Sequence, residues 1–413
     1  MAKTLYTNVN IFDGSGTDLF AGEVLVEGRF ITAVTTSGEP LERSECTVID
    51  GNGATLMPGM VESHAHLTWP SSVENMINTM KLPLEHHALV TAQNARITLD
   101  YGYTSAYSAG SLCESLEPTL RDMINAGYMP GPRLRASALE KGMEGVMGVP
   151  EGHDPSVDRD QAGLRQYILD KKAQGCDTIK FLLSSDEGFA RGGSEVVLYD
   201  DAEVKLIGDV AQEAGIWLAC HAQAKRAIKQ ALNSGFRMLY HCVHADNEIY
   251  DLMEAKKDQF FMAPAPGLLY ARIHEAEDFG IGPKEAEAMG AVRGLEANAR
   301  IVPELKKRGI RVLPGGDYGF PYNPVGRNAR DLQIFVEMFG YSPAEALVAA
   351  TKHGAEAVDW PVGEIAKGKW ADILLIDGNP LEDIRILQHK SSIVAIMKDG
   401  EFYRSPPRHM TRD

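Results

Sequence analysis

Long apolar runs are missing from this chain. No stretch of about 18 consecutive apolar residues occurs, which excludes a membrane-crossing helix of the hydropathy-defined kind. The chain does not open with a basic segment followed by an apolar core, so a secretory leader is not expected and the cytoplasm is the expected compartment. Cysteine is scarce, with five in 413 residues. Cys46, Cys113, Cys176, Cys220 and Cys242 lack Cys-x-x-Cys spacing and read as reduced thiols rather than a disulfide frame. Positive charge is also short: 41 Lys and Arg against 57 Asp and Glu give a net charge of −16. That balance argues against nucleic acid or an anionic membrane as partner. Neither GxGxxG nor GxxxxGK[ST] stands between a strand and a helix, so no phosphate cradle is expected.

What is present is an ordinary soluble composition, 44% hydrophobic and 24% charged, in a chain long enough for one large domain plus a smaller one. The first fifty residues read as short strands punctuated by Gly14, Gly16, Gly22 and Gly28. The C-terminal part repeats that texture over 371–377 and 392–400. The two ends are therefore expected to meet in one small β domain, a β-sandwich built from 1–56 and 360–413.

Between them, over 57–359, strand-like and helix-like segments alternate, which favours a parallel sheet with covering helices. Strand ends are expected near His66, Gly110, Glu140, Ser184, Ala222, His241, Pro266 and Asp317. Helical patterns cover 87–101, 116–126, 201–214 and 225–234. Gly102, Gly127, Gly175, Gly215, Gly235 and Gly309 follow helical segments where a left-handed residue closes a helix. Eight strands make an α/β fold of the (β/α)8 TIM-barrel type, with chemistry at the C-terminal strand ends. A doubly wound open sheet is the rival, but it would not readily converge residues from five separate strands.

Those strand ends carry ligand-type side chains. His64 and His66 lie one residue apart, and residues i and i+2 of an extended chain share a face. Lys180 interrupts an apolar strand, His221 and His241 close two more, and Asp317 follows Val312-Leu-Pro-Gly-Gly. Each has a plainer reading alone: a snorkelling lysine, a satisfied core histidine, a turn aspartate. Together they form a nitrogen and oxygen donor set suited to zinc or a similar divalent ion. Trp69, Tyr318, Phe320 and Tyr322 flank these positions and are candidates for an apolar pocket. Loops expected over 188–199 and 267–283 would supply substrate walls or a lid. The His86-His87 pair is read as structural.

The chain resembles the amidohydrolase superfamily, in the branch of imidazolonepropionase-like enzymes and metal-dependent Xaa-dipeptidases (prolidase-like). The resemblance is carried by ATLMPGMVESHAHL, DTIKFLL, YDDAEVKLIGDVAQEAGIWLACHAQ and GEIAKGKWADILLIDGNPLEDI. It implies two divalent metal ions, expected to be zinc. His64, His66 and Asp317 would hold one and His221 and His241 the other, with Lys180, carrying a CO2-derived carbamate, as bridge. It further implies a hydroxide between the ions as nucleophile, Asp317 as proton carrier, and catalytic roles for Lys180 and His241. The implied activity is hydrolysis of an amide-type C–N bond in a small molecule such as an N-acyl amino acid, dipeptide or aryl amide. Urea, carbamate or cyclic-amide hydrolysis, a deaminase, and a non-catalytic assembly protein are the alternatives. The filled ligand set argues against the assembly role and Lys180 against the deaminase. Barrels of this kind often associate, so a homo-oligomer is expected.

The chain also departs from the pattern. The sixth strand ends Tyr240-His-Cys-Val-His244, leaving His244 as either a substrate contact or a surface residue. Gln223 replaces an aromatic or histidine, the second strand ends Tyr107-Ser-Ala-Gly110 without an aspartate, and the third-strand loop over 142–153 matches loosely. These departures leave the substrate open.

Overall fold

The structure, a computed structural model, describes residues 3–36, 40–142, 160–187 and 193–412. Seven parallel strands occupy the expected order: Met60–Ala65, Tyr103–Ser108, Arg133–Arg135, Thr178–Leu182, Trp217–Ala222, Met238–His241 and Phe261–Ala263. A parallel bridge from Lys141 to Phe181 joins the third strand's extension to the fourth, and one from Met262 to Val312 supplies the eighth position. All residues of the first, second and fourth strands are buried, as expected of parallel strands covered by helices. The chain is a TIM-type barrel.

The helices begin and end where local chemistry predicts. Asp201–Ala214 has a full capping box between Asp200 and Glu203, and its C-terminus closes on Gly215 at φ 62°. The other five stop glycines, at 102, 127, 175, 235 and 309, also have positive φ, a conformation that costs glycine nothing. One expected loop is a helix instead. Pro266–His274 is α-helical, with Pro266 in the first helical turn, where its missing N–H is no loss. Positions 143–153 of the third-strand loop, and 188–192 of the other, lie outside the described residues. Among the described residues, no helix is long and apolar enough to cross a membrane.

Both chain ends build one mixed nine-stranded sheet. Its longest strand, Lys3–Ile11, pairs with Phe20–Glu27 along one side. On the other side it pairs first with Thr47–Asp50 and then with Thr55–Pro58. Thr55–Pro58 next pairs with Ile373–Ile376 from the far end of the chain. Alternation divides this strand's side chains: Ile373 and Leu375 enter the sheet's own core, whereas Leu374 and Ile376 join the barrel core. Arg133 on the third barrel strand ties the two parts together through a buried ion pair with Asp372 at 2.9 Å. An alternating Arg–Trp stack runs beneath the barrel. Arg133 lies 5.0 Å over Trp370, Arg135 lies 4.5 Å over both Trp360 and Trp217, and Arg237 lies 4.1 Å over Trp217. Each such contact is worth about 0.5–2 kcal/mol, depending on its desolvation.

The helix that follows the second strand, Leu116–Asn125, buries Glu117 completely. Its carboxylate accepts the Ser137 N–H at 3.0 Å, but burial pushes its pKa up to about 8 against these hydrogen bonds. The folded protein therefore keeps a proton that the unfolded chain releases above its ordinary carboxyl pKa. Stability from this group is present at low pH and is lost as pH rises towards 8. Thermal midpoints should show wild type gaining on Glu117→Gln as pH falls from about 8 to about 5. Parallel midpoint curves would contradict this.

Candidate metal centre

His64 belongs to the first barrel strand and His66 follows its end, their ring centroids 5.1 Å apart. Both rings are fixed by stacking. His64 lies on Tyr240, with centroids 3.9 Å apart, and His66 on Trp69 at 3.7 Å. Tyr240 in turn donates its hydroxyl to the Ser63 carbonyl at 3.0 Å. The backbone of His64 is held by Glu62, which accepts its N–H at 2.9 Å and the Asn328 amide at 2.6 Å.

Asp317 reaches these histidines because Gly315 lets the eighth position run flush against the first strand. A Cβ at 315 would lie 2.8 Å from that of His64 and 3.0 Å from its backbone nitrogen. The turn is pinned by Asp331, which accepts the Gly315 N–H and the Tyr318 hydroxyl, both at 2.7 Å. Asn323 donates to the carbonyls of Gly316 and Asp317. Asp317 has a left-handed φ of 59°, and His241 and Cys242 have 73° and 54° at the sixth strand end. Backbone strain of this kind, of order 1–3 kcal/mol per residue, concentrates at functional sites.

Asp317 Oδ1 stands 3.2 Å from His66 Nε2 and 3.7 Å from His64 Nε2. His66 Nδ1 lies 3.0 Å from the Gly110 carbonyl, which can only accept. His66 Nδ1 therefore donates to that carbonyl, which leaves Nε2 facing the carboxylate. His64 has no hydrogen-bond partner on either ring nitrogen among the described residues. Burial, with Lys180 acting against the pull of Asp317, holds His64 well below the usual imidazole range. Burial and the neighbouring histidines do the same to His241. Burial alone would raise the Asp317 carboxyl, but His64, His66 and His241 outweigh it and hold it well below the carboxylate range. The directions for His64, His241 and Asp317 favour neutral imidazole and ionised carboxylate, the ligand forms a divalent cation requires.

Ligand atoms of His64, His241 and Asp317 all lie within 4.8 Å of one another. This triad draws members from both sets of ligands that the resemblance implied. His221 completes the group, its ring centroid 4.4 Å from that of His241 and its Nε2 3.3 Å from the Ser185 carbonyl. Lys180 lies alongside, buried, with Nζ donating to the Ala109 carbonyl at 2.9 Å and 4.7 Å above the Tyr240 ring. The donor set fits a divalent metal: nitrogen and oxygen donors of His64, His241 and Asp317 converge on one buried point, and among the described residues both His64 ring nitrogens and Asp317 Oδ1 have no hydrogen-bond partner.

Of the proposed pocket residues, Trp69 carries Phe320 edge-on at 4.6 Å, and Phe320 stacks on Tyr322 at 5.3 Å, making an aromatic wall beside His66. Gln223 and His244 line a cavity of about 290 Å³ together with His241. Gln223 donates to Asp186 at 2.7 Å, and His244 shares a hydrogen bond with Ser194 at 2.8 Å. Tyr318 is placed apart from this wall, in a cluster with Ile97 and Val325. The sequence reading missed Glu140 as a site residue. Its carboxylate is buried 3.6 Å from His66 Nδ1 and 3.7 Å from Lys180 Nζ. A lone acid closing an apolar run was the available signal. Asp186 and Arg272, which also face the cavity, had none.

The Amidohydrolase family pattern matches residues 55–402 of the chain. The chain is similar to ochratoxinase of Aspergillus niger, 24% identical over 96% of this chain and 85% of that protein. It is also similar to imidazolonepropionase of Alkaliphilus metalliredigens, 22% identical over 92% of this chain and 89% of the other. Its fold is that of a crystal structure of a Xaa-Pro dipeptidase with bound methionine, with a TM-score of 0.83 and 24% identity over 98% of this chain and 100% of that one.

Proposed function

The chain belongs to the amidohydrolase family, as a metal-dependent hydrolase of carbon–nitrogen bonds in small molecules, and we propose that it works with two divalent ions, zinc by donor type, bridged by a carboxylated Lys180. One observation carries the reading: ligand atoms of the buried His64, His241 and Asp317 all lie within 4.8 Å of one another. His64, His66 and Asp317 would hold one ion, and His221 and His241 the other; divalent ions bound there would bring the pKa of water towards neutrality and polarise a carbonyl.

The chain's own groups do the rest. Asp317 accepts the proton of the attacking water and delivers it to the departing nitrogen. Its strained, doubly pinned backbone keeps the carboxylate from turning away. Trp69 fixes His66 and, with Phe320, keeps that side of the site dry. The substrate is an amide such as an N-acyl amino acid, a dipeptide or an aryl amide. Two features support this: the similarity to ochratoxinase and to a Xaa-Pro dipeptidase, and a cavity of about 290 Å³ at His241 that suits a small molecule.

The test is a screen of N-acyl amino acids, dipeptides, aryl amides and aryl ureas with chelator-treated and zinc-reloaded protein. Amide hydrolysis should vanish on chelation and return with zinc. A reloaded protein that cleaves none of these classes would overturn the proposal.

A further inference from the structure

The closing seam of the barrel has no backbone ladder. Strand pairing or a bridge links every position to the next, from the first round to the eighth. Among the described residues, none joins the eighth position back to the first strand. The proposed ligands flank that seam, with His64 and His66 on one side and Asp317 on the other. One short segment spans it. Asn328 and Asp331, at the start of helix Arg330–Phe339, are both buried. Asn328 Oδ1 accepts the Gly326 N–H at 2.9 Å, which turns its amide nitrogen to Glu62, and Glu62 accepts the His64 N–H. Further along the same segment, Asp331 accepts the Gly315 N–H and the Tyr318 hydroxyl, on either side of Asp317.

The fit round Asp331 leaves no slack. A Cβ at Gly267 would lie 2.7 Å from its Oδ1, and one at Gly316 would lie 2.5 Å from it. Arg330, between the two residues, pairs with Glu275 at 2.8 Å, just past helix Pro266–His274. The start of helix Arg330–Phe339 is therefore anchored to the helix that follows the seventh strand, and it offers fixed attachment points to both edges of the seam. Neither Asn328 nor Asp331 belongs to the ligand set. We infer that they are positioning residues of the metal centre, which clamp the seam and set the spacing of His64 and Asp317. Those two ligands stand 3.7 Å apart, Nε2 to Oδ1. Donors held at the spacing an ion requires bind it more tightly than donors free to part. The inference rests on the metal reading above and adds what holds its ligands in register.

The test measures the zinc Kd by chelator competition in wild type, Asp331→Ala, Asn328→Ala, Asp331→Asn and Tyr318→Phe. Each alanine variant should bind zinc about tenfold or more weakly, the scale of lost support behind a ligand. Asp331→Asn should recover most of that loss, because its amide oxygen still accepts the Gly315 N–H and its nitrogen can donate to a turned Tyr318 hydroxyl. Coupling separates a clamp from general damage. Added to Asp317→Ala, the Asp331→Ala change should cost less than about threefold more, since the ligand it positions is gone. Asn328→Ala should behave likewise when added to His64→Ala. His66, His221 and His241 remain in both backgrounds and keep zinc binding measurable. Circular dichroism reports folding. If the alanine variants fail there, Tyr318→Phe decides: freeing one contact of the clamp should weaken zinc severalfold in wild type and not in Asp317→Ala. Zinc affinity unchanged in the folded variants, or losses that add in full to those of Asp317→Ala and His64→Ala, overturns the inference and leaves the metal reading standing. A wild type that binds no zinc overturns both.

Discussion

Lys180→Ala is expected to lose most of its bound metal and nearly all activity, with partial recovery of both when a short carboxylic acid is added. Lys180 lies buried amid three histidines, with Glu140 at 3.7 Å and the Ala109 carbonyl at 2.9 Å as its polar contacts. As an ammonium it would repel the ions. As a carbamate it becomes a two-oxygen anion able to bridge them. Even outer-shell partners of metal ligands change affinity by about 10–100-fold, so removal of the bridge should exceed that. A small carboxylate fits the space vacated by the truncated side chain and restores two oxygens. Lys180→Arg should show no recovery, because guanidinium keeps its charge. Wild-type zinc content in Lys180→Arg would make Lys180 a structural residue.

Asp317→Asn should keep much of its metal and lose kcat by about 10²–10⁴-fold, the usual worth of a positioned proton transfer. The amide retains size and one oxygen ligand, and the turn that carries it is held by Asp331 and Asn323 rather than by its own side chain. What it loses is the capacity to take a proton from water and give it to nitrogen. An amide with a good leaving group needs little protonation and should suffer less than one with a poor leaving group. Equal losses on both substrates would leave Asp317 a ligand only.

The barrel was legible because its signals are local. Buried parallel strands read as apolar runs, and the stop glycines sit where a left-handed residue must close a helix. The proposed metal ligands were legible because most lie at or near a strand end, with Lys180 inside its strand, and a closed barrel brings all strand ends to one face. What failed to read depends on tertiary approach. Pro266-Gly267 has the look of a turn, yet proline at a helix start favours the helix that places Arg272 in the cavity. Tyr318 reads as a pocket residue by proximity to Asp317. The left-handed backbone at Asp317 breaks the strand alternation, and Asp331 takes its hydroxyl. Phe320 and Tyr322, two residues apart, do share a face and stack at 5.3 Å. Glu140 carries no spacing signature, and only closure of the barrel sets it against His66 and Lys180.

The central claim is a pair of ions held by His64, His66, His221, His241 and Asp317 and joined through Lys180. Stepwise zinc titration of chelator-stripped protein in bicarbonate buffer, with bound metal and amide hydrolysis read on the same samples, tests it most directly. The account predicts that activity stays low at one ion per chain and rises to its plateau as the second binds, with a lower plateau when bicarbonate is excluded. Full activity at one ion per chain, unchanged by a second ion or by bicarbonate, would contradict it.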